Sequence, residues 1–319
     1  MKKWLSKLLI SLIISFLILN VFALIYYNVP PRNEVNDGVT EYKWPSHSFY
    51  SRFTEGIAWG KVNDDGYNNL LDYDANIEID NVLMGSSHAE GFNVAQNENI
   101  ASILNETTNT YTYNIGISEH TLPICLSNLE NVIKKYKPTK YIVIETMTIS
   151  FYDQQINDSL NNNIHLDTFS NKYISFLQNF KYLKLVYSQL SNLNNNIDNN
   201  NIHTQAITNK ELLNTMLSKT KETCDKSDVE LIIVYHPTLY VDAQNQVSVN
   251  YNKTDMNTFE DICRQNGIVF VNMEEDFIEH YRETNELPHG FINTKPGDGH
   301  LNRIGHELIA IRLKEEMGE

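Results

Sequence analysis

Gly85-Ser86-Ser87-His88-Ala89-Glu90-Gly91 follows directly on the apolar run Val82-Leu83-Met84, and Asp298-Gly299-His300-Leu301-Asn302 lies near the C-terminus, ahead of an amphipathic segment. A serine at the exit of a strand, with an aspartate and a histidine far along the chain, has the parts of an acyl-transfer site. The hydroxyl is a weak nucleophile until a neighbouring base takes its proton, and His300 is the candidate base for Ser87. Asp298 and His300 are two positions apart in a stretch that Pro296 and Gly297 keep from being helical. In extended backbone such residues point the same way, so Asp298 is the candidate for orienting the imidazole and stabilising it once protonated. Each residue has a plainer use as well: Gly-Ser-Ser is common in loops, and Asp298 suits the cap of the final helix. The order of the three, each at a strand or helix junction, is what favours the chemical reading.

The elements that must position these residues alternate along the chain. Short runs rich in Val, Ile and Tyr, at Ile79–Met84, Tyr111–Ile115, Lys140–Glu145, Val229–Tyr235 and Ile268–Asn272, read as buried parallel strands. Between them, Leu122–Tyr136, Thr254–Gln265 and Leu301–Met317 carry helical periodicity, with Leu301, Ile304, Leu308, Ile309 and Leu313 as the apolar stripe of the last. Strands alternating with helices predict an α/β fold, an open parallel sheet covered on both faces, with ligands at the carboxyl ends of its strands. The stretch 153–227 reads as a helical insertion, with helices Phe169–Leu193 and Asn209–Cys224 joined by an Asn-rich linker from Asn194 to Asn201.

These residues resemble the SGNH/GDSL hydrolase superfamily over roughly residues 78 to 319. Gly85 to Gly91 looks like the GDSxxxG first block, with Ser86 where Asp is usual and Ser87 at the nucleophile. Asn114-Ile115-Gly116 is similar to the second block, which implies an oxyanion hole built from the backbone N–H groups of Ser87 and Gly116. Asp298 to His306 resembles the last block, in the shorter DxH spacing of branches related to polysaccharide O-acetyltransferases. The GxND third block is absent: Ile144-Glu145-Thr146-Met147-Thr148 stands in its place, with the hydroxyl of Thr146 or Thr148 as a substitute donor. The resemblance implies a three-layer αβα, flavodoxin-like domain with five parallel strands, no cofactor and no metal.

Leu8 to Tyr27 is uncharged and spans roughly 30 Å as a helix, enough to cross a bilayer once. Lys2, Lys3 and Lys7 precede it while Glu34, Asp37 and Glu41 follow, which predicts a cytoplasmic stub over residues 1–7 and the remainder outside the cell membrane. A cleaved signal peptide fits less well, because the region around Ala23 is bulky. Residues 28–76, polar and punctuated by Pro, Gly and Asn, read as a juxtamembrane arm ahead of a domain at 77–319. A net charge of -15 makes nucleic acid a poor partner. Cys125, Cys224 and Cys263 lack CxxC spacing and read as buried free thiols.

The chain is therefore expected to be an extracytoplasmic serine esterase or acyltransferase, acting through an acyl-serine on an acylated envelope glycan or similar molecule. A binding protein that keeps the fold without turnover is the alternative, favoured by the missing third-block Asn. A metal site of His88, Glu90, Glu119, His120 and His300 matches no compact ligand spacing. His236 is expected at a strand end, His289 on a rim or lid loop, and His306 as a packing residue of the last helix.

Overall fold

The computed structural model describes residues 2–149 and 210–319, apart from residues 36, 38, 41 and 250, together with Tyr182. Helix Phe169–Leu193 and the Asn-rich linker of the expected insertion lie outside the described residues. In chain order the elements begin with α1 (Lys2–Tyr26), β1 (Tyr27–Asn28), β2 (Asn33–Glu34), β3 (Tyr42–Lys43), β4 (Phe49–Arg52) and β5 (Ala58–Lys61). There follow β6 (Asn81–Met84), α2 (Ser87–Glu90), α3 (Ile100–Thr107), β7 (Thr112–Asn114), α4 (Leu122–Tyr136), β8 (Tyr141–Thr146) and α5 (Lys210–Lys226). The rest is β9 (Glu230–Tyr235), β10 (Leu239–Val241), β11 (Val247–Val249), α6 (Lys253–Gln265), β12 (Val269–Asn272), α7 (Glu274–Thr284) and α8 (Arg303–Glu316).

Five strands form one sheet in the order β12-β9-β8-β6-β7, every pair parallel. Side chains alternate across it with the period of two that a pleated strand imposes. Val82, Met84, Ile142, Ile144, Leu231 and Ile233 face one layer with Leu129 of α4, Leu217 of α5 and Phe259 of α6. Leu83, Val143, Ile232, Val234 and Val271 face the other with Leu104 of α3, Phe277 of α7 and Leu313 of α8. This is the expected three-layer αβα fold. The chain leaves β6 for its neighbour β7 on one side and returns to β8 on the other. The carboxyl end of β6 is thus the point where the winding reverses, where such sheets open a crevice.

Residues 28–76 are not a loose arm. β1 pairs with β4 and β4 with β5, all antiparallel, and Trp44, Tyr50 and Val62 are buried around Phe92, with Tyr50 stacked on the Phe92 ring at 4.0 Å. The asparagines that suggested a loop are structural donors: Asn68 Nδ2 reaches the Glu90 carbonyl at 2.8 Å, Asn69 Nδ2 the Asn114 carbonyl at 2.8 Å, and Asn63 Nδ2 the Tyr113 hydroxyl at 2.7 Å. Position 77 is therefore no packing boundary. α1 is apolar over Lys3–Tyr26, long enough to cross a membrane.

Two consequences are measurable. Tyr50→Ala should cost about 3–5 kcal/mol in chemical denaturation, the range for a large aromatic removed from a packed core, where a mere tether would lose almost nothing. Asp37 pairs with Lys43 at 2.6 Å and Lys135 at 3.1 Å. Burial pushes its carboxyl up, but the Lys43 and Lys135 charges and bonds outweigh that and bring it down to about 2. Because the folded value is depressed, this stability is full above the ordinary 3.8 and is lost as pH falls towards 2. Asp37→Asn should flatten acid unfolding in that window by about 1 kcal/mol, allowing for its partial exposure.

Candidate active site

β6 ends at Met84, and Gly85 and Ser86 turn the chain into the short helix α2, which Ser87 opens. Ser86 caps it, its hydroxyl accepting from the His88 amide at 3.3 Å. Beneath the turn, the buried Glu145 of β8 accepts at Oε2 from the Ser86 amide at 2.9 Å, the Ser86 hydroxyl at 3.0 Å and the Ala89 amide at 3.2 Å. One carboxylate therefore holds both flanks of Ser87, which itself remains half-buried and open to the crevice.

His300 comes to this turn from the tail. Its Nε2 lies 3.0 Å from Ser87 Oγ, and its own amide is part of the stretch that pairs back on His289. The expected base and nucleophile are together. Asp298 is not with them: its side chain is 65 % exposed and pairs with Lys295 at 3.3 Å. The reason is local. The expectation assumed extended backbone from Asp298 to His300, whereas Gly297 and Gly299 sit at φ +81° and +97°, so the chain turns between the two residues and their side chains diverge.

Glu55 takes the place Asp298 was expected to fill. Its Oε2 lies 2.8 Å from His300 Nδ1 and its Oε1 accepts the His300 amide at 2.7 Å. Gly299 is what admits it, since a Cβ there would stand 2.3 Å from Glu55 Oε1. Burial pushes the Glu55 carboxyl up; the His300 hydrogen bonds and charge, helped by Arg52, outweigh it, and the net shift is downward. Glu55 lies on the β4–β5 connection, which Asn93 Nδ2 holds by its carbonyl at 3.0 Å and Asn293 Oδ1 by the Gly56 amide at 3.0 Å. No sequence signal marks it: it is a lone carboxylate in a segment without periodicity, 245 positions from the ring it orients.

The two amides expected to form an oxyanion pair differ in their engagement. Ser87 is the first residue of α2, where an N–H has no carbonyl within its own helix. The Gly116 amide instead donates to Asn114 Oδ1 at 2.8 Å and is buried. Gly116 serves close approach, because a Cβ there would meet the Glu90 amide at 2.6 Å and Ala89 at 2.7 Å. Asn114 ties the two parts together, donating to the Ala89 carbonyl at 2.8 Å. The Thr146 hydroxyl donates to the Thr148 carbonyl at 2.7 Å and is spent locally.

Of the five residues considered as metal ligands, the His88 and His300 rings are neighbours, 5.2 Å apart, while the other three are engaged elsewhere. Glu90, raised by burial, is bonded to Trp44 Nε1 at 2.6 Å and to the Ser118 hydroxyl. Glu119 pairs with Arg32 at 2.7 Å. His120, pushed down to about 4 by burial and by Arg32, meets Thr40 Oγ1 at 3.2 Å. A different trio, His88, His236 and His289, brings one ring nitrogen each within 4.8 Å of one another, all buried. All three rings are already hydrogen-bonded, though not all to one another. His236 Nε2 meets Glu145 Oε1 at 2.7 Å and its Nδ1 meets His289 Nε2 at 3.2 Å. His88, held neutral by burial and its histidine neighbours, accepts the Leu301 amide at Nδ1 and so carries its proton on Nε2, 3.2 Å from Met147 Sδ. His289 is thus a buried strut with an imidazole held well below its ordinary value by burial, not the rim or lid expected of it. His306 packs inside α8, as expected.

No family model matches the chain, and no curated protein is similar to it. Solved structures with a likeness to it include a member of the lipolytic protein G-D-S-L family from Veillonella parvula DSM 2008, 12 % identical at a TM-score of 0.40 over 74 % of this chain and 96 % of that one. A GDSL-like lipase from Bacteroides thetaiotaomicron VPI-5482 is 12 % identical at 0.38, over 75 % and 87 %. An alpha/beta hydrolase from the metagenome of Lake Arreo, Spain, is 12 % identical at 0.40, over 77 % and 97 %.

Exchanging the two acids separates their roles. Glu55→Gln should lower turnover of a small acetyl ester roughly ten-thousandfold, the scale for a triad carboxylate, whereas Asp298→Asn, an exposed change, should stay within about twofold. Steady-state rates of the two variants beside the parent decide it.

Proposed function

We propose that the chain is a membrane-anchored serine esterase or acyltransferase of SGNH type, with Ser87 as nucleophile, His300 as base and Glu55 as the orienting acid. The reading rests on one observation above the rest: a hydroxyl, an imidazole and a carboxylate from three distant segments in line at 3.0 Å and 2.8 Å, at the winding reversal of a parallel sheet.

In the reaction, Ser87 Oγ attacks the acyl carbonyl while His300 Nε2 takes its proton. Glu55 holds the ring by Nδ1 and stabilises the imidazolium. Collapse of the tetrahedral intermediate breaks the ester bond, and the departing alcohol takes the proton from His300. Water or an acceptor hydroxyl then gives up a proton to His300 and releases the acyl group from Ser87. The Ser87 amide supports the oxyanion, and each such donor is worth about 2.7–4 kcal/mol. With the N-terminus cytoplasmic, the site is extracytoplasmic, and an acylated envelope glycan or similar molecule is the nearest substrate.

The engaged Gly116 amide and the absence of an Asn from the stretch Ile144–Thr148 favour a second reading, a glycan-binding or assembly protein without turnover. A serine-directed phosphonate separates the two. It should add one equivalent to Ser87 in the parent and none in His300→Ala, as read by intact mass; an unlabelled parent would leave only the binding reading.

A further inference from the structure

α1 does not end in a linker. Tyr26 is its last residue, and Tyr27 is already paired with Arg52 of β4. Ser51 Oγ donates to the Leu24 carbonyl at 3.1 Å, and the Phe53 amide donates to the Tyr26 carbonyl at 3.0 Å. The Tyr26, Phe53 and Trp59 rings follow one another at 6.4 and 5.9 Å. Glu55 stands two residues beyond Phe53, so the acid that grips His300 lies within about 7 Å of chain from a ring resting on the last turn of the apolar helix. With α1 across a bilayer, Tyr26, Phe53 and Trp59 fall where interfacial aromatics sit.

The surface around that point is apolar. Ile57 is 60 %, Trp59 59 % and Ile292 95 % exposed. Asn293 Nδ2 bonds the Phe53 and Gly56 carbonyls, both at 2.9 Å, so the loop carrying Ile292 and the connection carrying Ile57 are one face. Behind them lies a cavity of about 730 Å³ lined by Ile57, Phe291, Ile304 and Leu308, with the charged Glu98, Arg303 and Glu307 also on its wall. Two residues of the expected α8 stripe, Ile304 and Leu308, are only half-buried and line it, with the exposed Ile311 beside them. The Gly290 amide, also on the cavity wall, donates to the His300 carbonyl at 2.9 Å, which places the cavity beside the reacting pair.

Building on the serine-hydrolase reading, we infer that this face is seated in the bilayer at the C-terminal end of α1, with Ile57, Trp59 and Ile292 among the acyl chains. The envelope molecule that carries the ester for Ser87 is then a lipid rather than a free glycan, and one of its acyl chains occupies the cavity. The net charge of -15 assigns the contact to apolar insertion rather than to attraction for anionic headgroups, so it is insensitive to salt.

The full chain in phosphatidylcholine nanodiscs provides the test. The native thiols Cys125, Cys224 and Cys263 are buried, so Ile292→Cys takes an environment-sensitive fluorophore selectively, with Ser127→Cys on exposed α4 as the reference. Lipid spin-labelled near the headgroup should quench the probe at 292 at least threefold more than at 127, equally at low and high salt; equal quenching at both positions overturns the proposal. In a second measurement, Ile57→Asp with Ile292→Asp should lower the ratio of turnover on a long-chain ester embedded in the nanodisc to turnover on a soluble acetyl ester at least tenfold. A parallel fall on both esters overturns it. Quenching is read without turnover, so an inactive parent would sink the hydrolase reading while the bilayer contact is still decided.

Discussion

Everything at the candidate site hangs on the way His300 is gripped. Glu55 holds it at two points, the ring through Nδ1 and the backbone through the amide, which leaves Nε2 facing Ser87. A single hydrogen bond would allow the ring to swing; two bonds from one carboxylate fix both the backbone and the tautomer. The grip requires Gly299, because any side chain there would occupy the carboxylate's position. It also requires the β4–β5 connection to be folded against the tail, so the segment ahead of the sheet is part of the site and not its tether.

Beneath the reacting groups lies a polar layer in which few polar atoms are left without a partner. Glu145 sits under the nucleophile turn and passes through His236 to His289, while His88 links the same turn to the Leu301 amide. A buried carboxylate is tolerated only where enough donors converge on it, and Glu145 has three on one oxygen and a ring nitrogen at the other. The layer holds α2 in place and with it the Ser87 hydroxyl beside His300. It also explains Gly116, whose amide completes the Asn114 bridge to α2.

The sheet, its five strands and the boundaries of α4 were legible because burial imposes a period, while α8 starts at Arg303, two residues after the expected Leu301, behind its Asn302 cap. Val82-Leu83-Met84 and Leu231 to Val234 must alternate between two helical layers, and α4 must repeat its apolar positions every three to four residues. The segment over 28–76 obeys no period. Its strands are short, and its asparagines bond inward through side chains that look the same in sequence as those of a solvated loop.

Ser87 and His300 were readable because each stands next to a regular element whose end fixes its direction. The carboxylate beside His300 was not, since such a partner needs only to arrive, from anywhere in the chain, and the turn at Gly299 sends the Asp298 side chain away. Local patterns therefore determined the fold class, the apolar N-terminal helix, and the serine and histidine that meet at the end of β6. The acid, the engaged Gly116 amide, the histidine layer and the nearness of the site to the end of α1 are products of long-range packing, in which partners up to 245 positions apart are selected by shape and hydrogen bonding that no local spacing encodes.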